Sequence, residues 1–126
     1  MAQLNSVVEA RTKQALRALE QLTAVEAAYV FGSQADNSAD EWSDIDIAAF
    51  AKDVERWNIE KRAEVSAYVQ RIAGDDIEIH LFPAALLTAA SPAGFAAYVK
   101  ATGIPIAIGN DIHSSPPPAD ELPSHI

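Results

Sequence analysis

The chain reads as an α/β (α+β) domain in which short strands and amphipathic helices are interleaved. Three observations predict this. Apolar residues recur at helical spacing over residues 3–21 and again from about Arg56 to Ile72. Polar and apolar residues alternate over 44–47 and 75–83, as they do in half-buried strands. A short run, Ala27-Ala28-Tyr29-Val30-Phe31, stops at Gly32, as a buried strand feeding a turn does.

The first helix carries Leu4, Val7, Val8, Ala15, Leu16 and Leu19, with Arg11, Lys13, Gln14 and Arg17 between them. That pattern makes an apolar stripe able to cover one face of a sheet. After the strand that ends at Phe31, Gly32 lets the backbone approach a ligand closely. Ser33 is expected to cap a short helix whose free N–H groups attract phosphate. Residues 34–43 begin as a helical turn and continue as a polar loop. An EF-hand reading of Asp36, Ser38 and Asp40 fails, because Glu41 stands where the loop needs Gly and Ile47 where it needs Glu.

Asp44-Ile45-Asp46-Ile47 follows. Side chains alternate along a strand, so Asp44 and Asp46 share one face while Ile45 and Ile47 share the other. The two aspartate Cα atoms lie roughly 6.5 Å apart at the usual rise per residue. Both carboxylates can then converge on hard cations such as Mg²⁺, which bridge to nucleotide phosphates.

The second helix is expected to start near Arg56 and to end at Gly74. The strand over 75–83 puts Asp76, Glu78 and His80 on one face, and Pro83 closes it. His80 is able to orient a carboxylate or touch a substrate, although a lone strand histidine is more often a surface residue. Two helical pieces, 84–90 and 92–101, are separated by Ser91-Pro92 and followed by a last strand over 104–108. Pro105 marks that strand as an edge. The folded unit is expected to span 1–110. The tail, 111–126, holds Pro116-Pro117-Pro118 in polar surroundings and is expected to be disordered.

The order Gly32-Ser33, ten residues, Asp44-Ile45-Asp46 resembles the Gly-Ser-x10-Asp-x-Asp signature of the minimal nucleotidyltransferases of the DNA polymerase β superfamily. The likeness runs from about Ala27 to Ile108. It implies a small mixed β-sheet flanked by helices, the palm-like fold of that superfamily. It also implies that Gly32 and Ser33 hold a triphosphate and that Asp44 and Asp46 bind Mg²⁺, in a two-metal site. The family's third acid follows the intervening helix in an apolar-acid-apolar setting, which Glu78 occupies between Ile77 and Ile79. Asp76 is the reserve candidate. Asp44, Asp46 and Glu78 are then the catalytic set, ATP the substrate, and the reaction the transfer of AMP to a hydroxyl.

The resemblance departs after Gly-Ser, where many relatives continue Arg-Ala-x-Gly and this chain has Gln34, Ala35, Asp36 and Asn37. A basic side chain is lost near the triphosphate and an acidic one gained, while Asn37 tolerates the left-handed geometry of the missing Gly. Minimal proteins of this type act beside a helical HEPN-domain partner as toxin–antitoxin pairs. The resemblance therefore implies a HEPN-domain partner, a hetero-oligomer and an antitoxin that adds AMP to its partner. The alternative it leaves open is a module that neutralises a partner by contact alone.

Composition bounds the rest. The net charge of −9 disfavours a grip on long nucleic acid, which needs a basic surface. No run approaches the roughly eighteen apolar residues of a membrane span, and no basic-then-apolar leader opens the chain. Cysteine is absent, so thiolate metal sites and disulfides are excluded and the cytoplasm is the expected compartment.

Overall fold

Helix α1 (Ser6–Glu20) starts at Asn5, whose side-chain oxygen accepts the Val7 N–H at 2.7 Å and so satisfies one free donor of the first turn. Strand β1 (Val25–Phe31) runs into a 3-10 turn over Gly32–Gln34. Strand β2 (Ile45–Ala51) is followed by a second 3-10 turn, Val54–Arg56, and by α2 (Ile59–Ala73). Strand β3 (Ile77–Pro83) leads into a 3-10 turn over Ala84–Leu87; α3 (Phe95–Thr102) and β4 (Ile104–Ile106) complete the order. The computed structural model describes residues 4–35, 39, 43–87 and 94–108.

The four strands form one mixed sheet in the order β3-β2-β1-β4. β1 is antiparallel to both β2 and β4, whereas β2 and β3 are parallel and joined through α2. A parallel pair needs such a crossover, because a tight turn cannot return the chain to the same end. β4 lies at an edge, as Pro105 requires, since proline has no N–H to offer a further strand.

The expected elements form with shifted ends. The second helix starts three residues later than Arg56, because Asn58 caps it by accepting the Lys61 N–H at 2.8 Å. Gly74 ends it as expected, with φ at +126°, a conformation open to glycine alone at little strain. The helical piece from Ala84 is a 3-10 turn as far as Leu87, and its remainder lies outside the described residues. The last strand stops at Ile106. The loop residues Asp36 and Asn37 and the proline-rich tail also lie outside the described residues.

The two faces of the sheet differ. Leu16 and Leu19 of α1 and Val65, Tyr68 and Val69 of α2 pack on Val30, Ile45, Ile47 and Ile77 to form the main core. Each fully buried Leu, Ile or Val stabilises by roughly 1.5–3 kcal/mol, so this face carries the fold. The opposite face holds a smaller cluster of Phe31, Ala48, Phe50 and Val99, with α3 supplying the cover.

Candidate active site

The register of the sheet builds the site on its less covered face. Phe31 lies beside Asp46 across the antiparallel pair, and Asp46 lies beside Glu78 across the parallel pair. Phe31, Asp46 and Glu78 therefore form one row. The next row on the same face is Tyr29, Ala48 and His80, and the one beyond is Ala27, Phe50 and Phe82. Acids sit at the end of the sheet where β1 leaves and β2 and β3 enter, while aromatics line the remainder of the face.

Gly32 turns the chain directly over the acid row. Its φ is +72°, and a Cβ there would stand 3.0 Å from Asp46 Oδ2. The backbone conformation favours glycine, and any Cβ would press on the Asp46 carboxylate and make it shift. Ser33 lies inside the 3-10 turn, so the expectation that it caps the turn is corrected. The residue at the cap position is Phe31, and no side chain caps it. Ser33 and the turn's backbone nonetheless adjoin Asp46 through Gly32.

The expected alternation holds for Ile45, Asp46 and Ile47, which lie within β2, whereas Asp44 stands one residue before the strand. Ile45 and Ile47 are buried in the main core, and Asp46 turns away from it. Asp44 precedes β2 and is exposed; its backbone carbonyl accepts from Gln34 Nε2 at 3.4 Å. Asp46 and Glu78 come together closely enough to perturb one another. The Glu78 carboxyl is held above its ordinary range, first by its hydrogen bond with the Asp46 carboxyl, then by burial and the charges of Asp46 and Asp44; His80 offsets part of this.

His80 joins the acids. Its Nε2 is 3.2 Å from Asp46 Oδ1 and 3.9 Å from Glu78 Oε2. Residue 48 is alanine, and this small neighbour leaves the imidazole room to reach Asp46 diagonally. The ring meets Phe31 edge-on at 5.0 Å between centroids. One donor atom from each of Asp46, Glu78 and His80 falls within 4.8 Å of the others.

Asp76 is elsewhere. The strand begins at Ile77, so Asp76 occupies the preceding turn, and alternation no longer sets the side it faces. Its carboxylate is gripped by both terminal nitrogens of Arg11, Nη1 to Oδ2 at 2.8 Å, and Arg11 Nη2 also donates to the Ala73 carbonyl at 2.8 Å. The expected common face of Asp76 with Glu78 and His80 is therefore corrected: Asp76 joins α1 and the end of α2 to β3. Arg11 holds the Asp76 carboxyl below its ordinary range and is itself raised.

A family model described as "Polymerase beta, Nucleotidyltransferase" matches residues 13–107. The chain belongs to this nucleotidyltransferase family. A protein from Sulfolobus solfataricus, provisionally assigned as a nucleotidyltransferase and solved by crystallography, is similar at 24% identity and a TM-score of 0.40, over 64% of this chain and 77% of that one. No curated protein matches the chain.

Nucleotidyltransferases of this family generally use a divalent metal, and the residues present fit one. Oxygen and nitrogen donors converge in the Asp46–Glu78–His80 group, and among the described residues no lysine or arginine forms an ion pair with either acid. Carboxylates gathered without a protein cation are a suitable set for a metal ion. The sequence pattern points to Asp44, Asp46 and Glu78; the structure groups Asp46 and Glu78 with His80, and Asp44 is not in that group. In the sequence the one signal for His80 is its spacing of two from Glu78 on a strand, which lets it orient a carboxylate but is equally the pattern of a surface histidine.

No helix among the described residues is long and apolar enough to cross a membrane.

Proposed function

We propose that the chain is a cation-dependent nucleotidyltransferase that moves AMP from ATP onto a hydroxyl of a partner protein, the partner being a HEPN-domain toxin and this chain its antitoxin. One observation carries the catalytic part: Asp46 and Glu78 adjoin in one row beneath the Gly32 turn, in a domain of the nucleotidyltransferase family. Asp44, Asp46 and Glu78 hold Mg²⁺. A bound cation would neutralise charge on the phosphates. Gly32 and Ser33 receive the triphosphate through the backbone of the turn and the Ser33 hydroxyl. The acceptor hydroxyl gives up its proton to a neighbouring carboxylate or to water as its oxygen bonds to the α-phosphorus and the bond to pyrophosphate breaks, and the protein's contribution is to hold both in line.

A protein acceptor is supported by two features. The net charge of −9 opposes a long polyanion as the acceptor. Phe95 and Tyr98 are 48% and 53% exposed and stack on one another on the face of the acid row, apolar surface of the kind that protein partners cover. The HEPN identity of the partner and the antitoxin role rest on the resemblance to the minimal nucleotidyltransferases alone.

The test is to incubate the protein with α-labelled ATP, Mg²⁺ and a HEPN-domain protein encoded beside it. Label should appear on the partner with wild type and disappear with Asp46→Ala. The contact-only reading has its own support in Gln34, which stands where relatives carry a basic residue and bonds the Asp44 carbonyl instead. Protection of cells without label, unchanged by Asp46→Ala, would establish that reading in place of the transferase.

A further inference from the structure

His80 brings the acid site a nitrogen donor that an Mg²⁺ centre does not need. Mg²⁺ takes oxygen ligands and keeps much of its water, whereas imidazole suits divalent transition-metal ions and Zn²⁺. We propose that His80 is a protein ligand of the cation held by Asp46 and Glu78, and that this mixed nitrogen–oxygen group prefers Co²⁺ or Zn²⁺ to Mg²⁺. The proposal rests on the cation-dependent reading above and adds which residue and which class of ion.

Distance carries the first part of the argument. Two atoms each about 2.0–2.2 Å from one ion lie roughly 3–3.5 Å apart at tetrahedral or octahedral angles. His80 Nε2 is already 3.2 Å from Asp46 Oδ1 and 3.9 Å from Glu78 Oε2. Small side-chain rotations bring all three onto a common ion, without movement of the strands.

Orientation carries the second. The ring is wedged edge-on against Phe31, at 67° between planes, and lies within 6.5 Å of the Phe95 ring. Its backbone is fixed beside Ala48 in the parallel register, with Nε2 directed to the acids. A ligand aimed before the metal arrives loses little side-chain freedom on binding.

Charge carries the third. Asp46 and Glu78 stand side by side in the register, and among the described residues His80 is the one basic group paired with either of them. The competing role for His80 is as a positioning residue, donating Nε2–H to Asp46 while the carboxylates alone hold the ion. A nitrogen that donates a hydrogen bond cannot coordinate, so the two roles exclude each other.

The experiment uses the full chain and the metals alone. Co²⁺ and Mg²⁺ are titrated by calorimetry into wild type, His80→Gln, His80→Ala and Asp46→Asn, with Co²⁺ visible absorption as a second readout. Zn²⁺ and Mg²⁺ are added separately to ¹⁵N-labelled protein to follow the imidazole nitrogens. His113 and His125 remain in every variant, so a change confined to the position-80 variants reports His80. We expect both His80 variants to lose about tenfold or more in Co²⁺ affinity while Mg²⁺ affinity stays within about twofold. Zn²⁺ should shift the His80 Nε2 resonance, and Mg²⁺ should leave it in place. Co²⁺ affinity unchanged in both variants, an unmoved Nε2 resonance, or no Co²⁺ binding by wild type would each overturn the proposal. If Asp46→Asn abolishes binding of both metals while the His80 variants behave as wild type, only the role of His80 falls. If Asp46→Asn binds both metals normally, the cation-dependent reading itself is lost.

Discussion

Ser33 lies within the 3-10 turn that Gly32 opens over Asp46, and no side chain caps that turn. Loss of the Ser33 hydroxyl should therefore touch ligand binding more than folding. Ser33→Ala removes one hydrogen bond to a charged phosphate, an effect of roughly 1.5–3 kcal/mol, so ATP affinity in the presence of Mg²⁺ should fall about tenfold or more. Thermal melts without ligand should nearly coincide; separated melts with equal ATP affinities would make Ser33 a purely structural residue. Glu78 gives a prediction of opposite character. Its carboxyl is raised from an ordinary value of 4.5 by its hydrogen bond with Asp46 and the charges beside it. In the folded chain it holds its proton to higher pH than in the unfolded chain, so the native state binds more protons in that window. Stability is then fully present below 4.5 and declines as pH rises through the raised folded value. Glu78→Gln removes that decline. The metal-free variant should be more stable than wild type at neutral pH, by less than about 1 kcal/mol because the group is half exposed and screened. Its transferase activity should be lost. Paired melts across pH 4–7 together with the labelling assay check both halves.

Among the elements, α1, α2 and β3 are tied at one point. Arg11 reaches from α1 to the Asp76 carboxylate before β3 and to the Ala73 carbonyl at the end of α2. Gly74 makes the tie possible, since a Cβ there would collide with the guanidinium as well as face an unfavourable φ. The pair is partly exposed, at 30% and 40%, so its contribution is about 1 kcal/mol or less. Its pH dependence follows from the direction of the shift. The Asp76 carboxyl is lowered from an ordinary 3.8, so its stabilisation is fully present above that value and is lost as pH falls through the lower folded value. Arg11→Ala should lower the urea midpoint at pH 7, and the gap between wild type and variant should narrow below about pH 3.8. A gap independent of pH would assign the effect to the Ala73 hydrogen bond and packing alone.

For the molecule as a whole, the sheet is covered on one face by two helices and on the other by the shorter α3, which leaves the acid row at an open end. The net charge of −9 makes the chain as a whole repulsive to polyanions. A divalent cation offsets about half of the charge of a nucleoside triphosphate, whereas a grip on a long duplex needs many basic side chains to displace its counterions, and this chain has 9 Lys and Arg against 18 Asp and Glu. Fluorescence anisotropy with a labelled DNA duplex should show no measurable binding at physiological salt, while the same protein binds ATP with Mg²⁺. Tight, salt-dependent duplex binding would contradict both the charge argument and a protein acceptor.

Local chemistry made much of this legible in the chain. Helical periodicity placed α1 and α2, the stop at Gly32 marked the end of β1, Pro105 marked an edge, and alternation put Ile45 and Ile47 inward and Asp46 outward. Each of these depends on neighbours within a few residues, which a linear reading contains. Tertiary structure decided what depends on register and on strand ends. His80 meets Asp46, 34 residues away, because β2 and β3 are parallel with Asp46 beside Glu78; another register would have separated them. By alternation Asp76 is expected on one face with Glu78 and His80, but alternation holds only within a strand, and β3 begins one residue too late to include it. Arg11, 65 residues from Asp76, then fixed its direction. The sequence thus contained the acids and the turn; the pairing of strands selected Asp46, Glu78 and His80 as the group that meets.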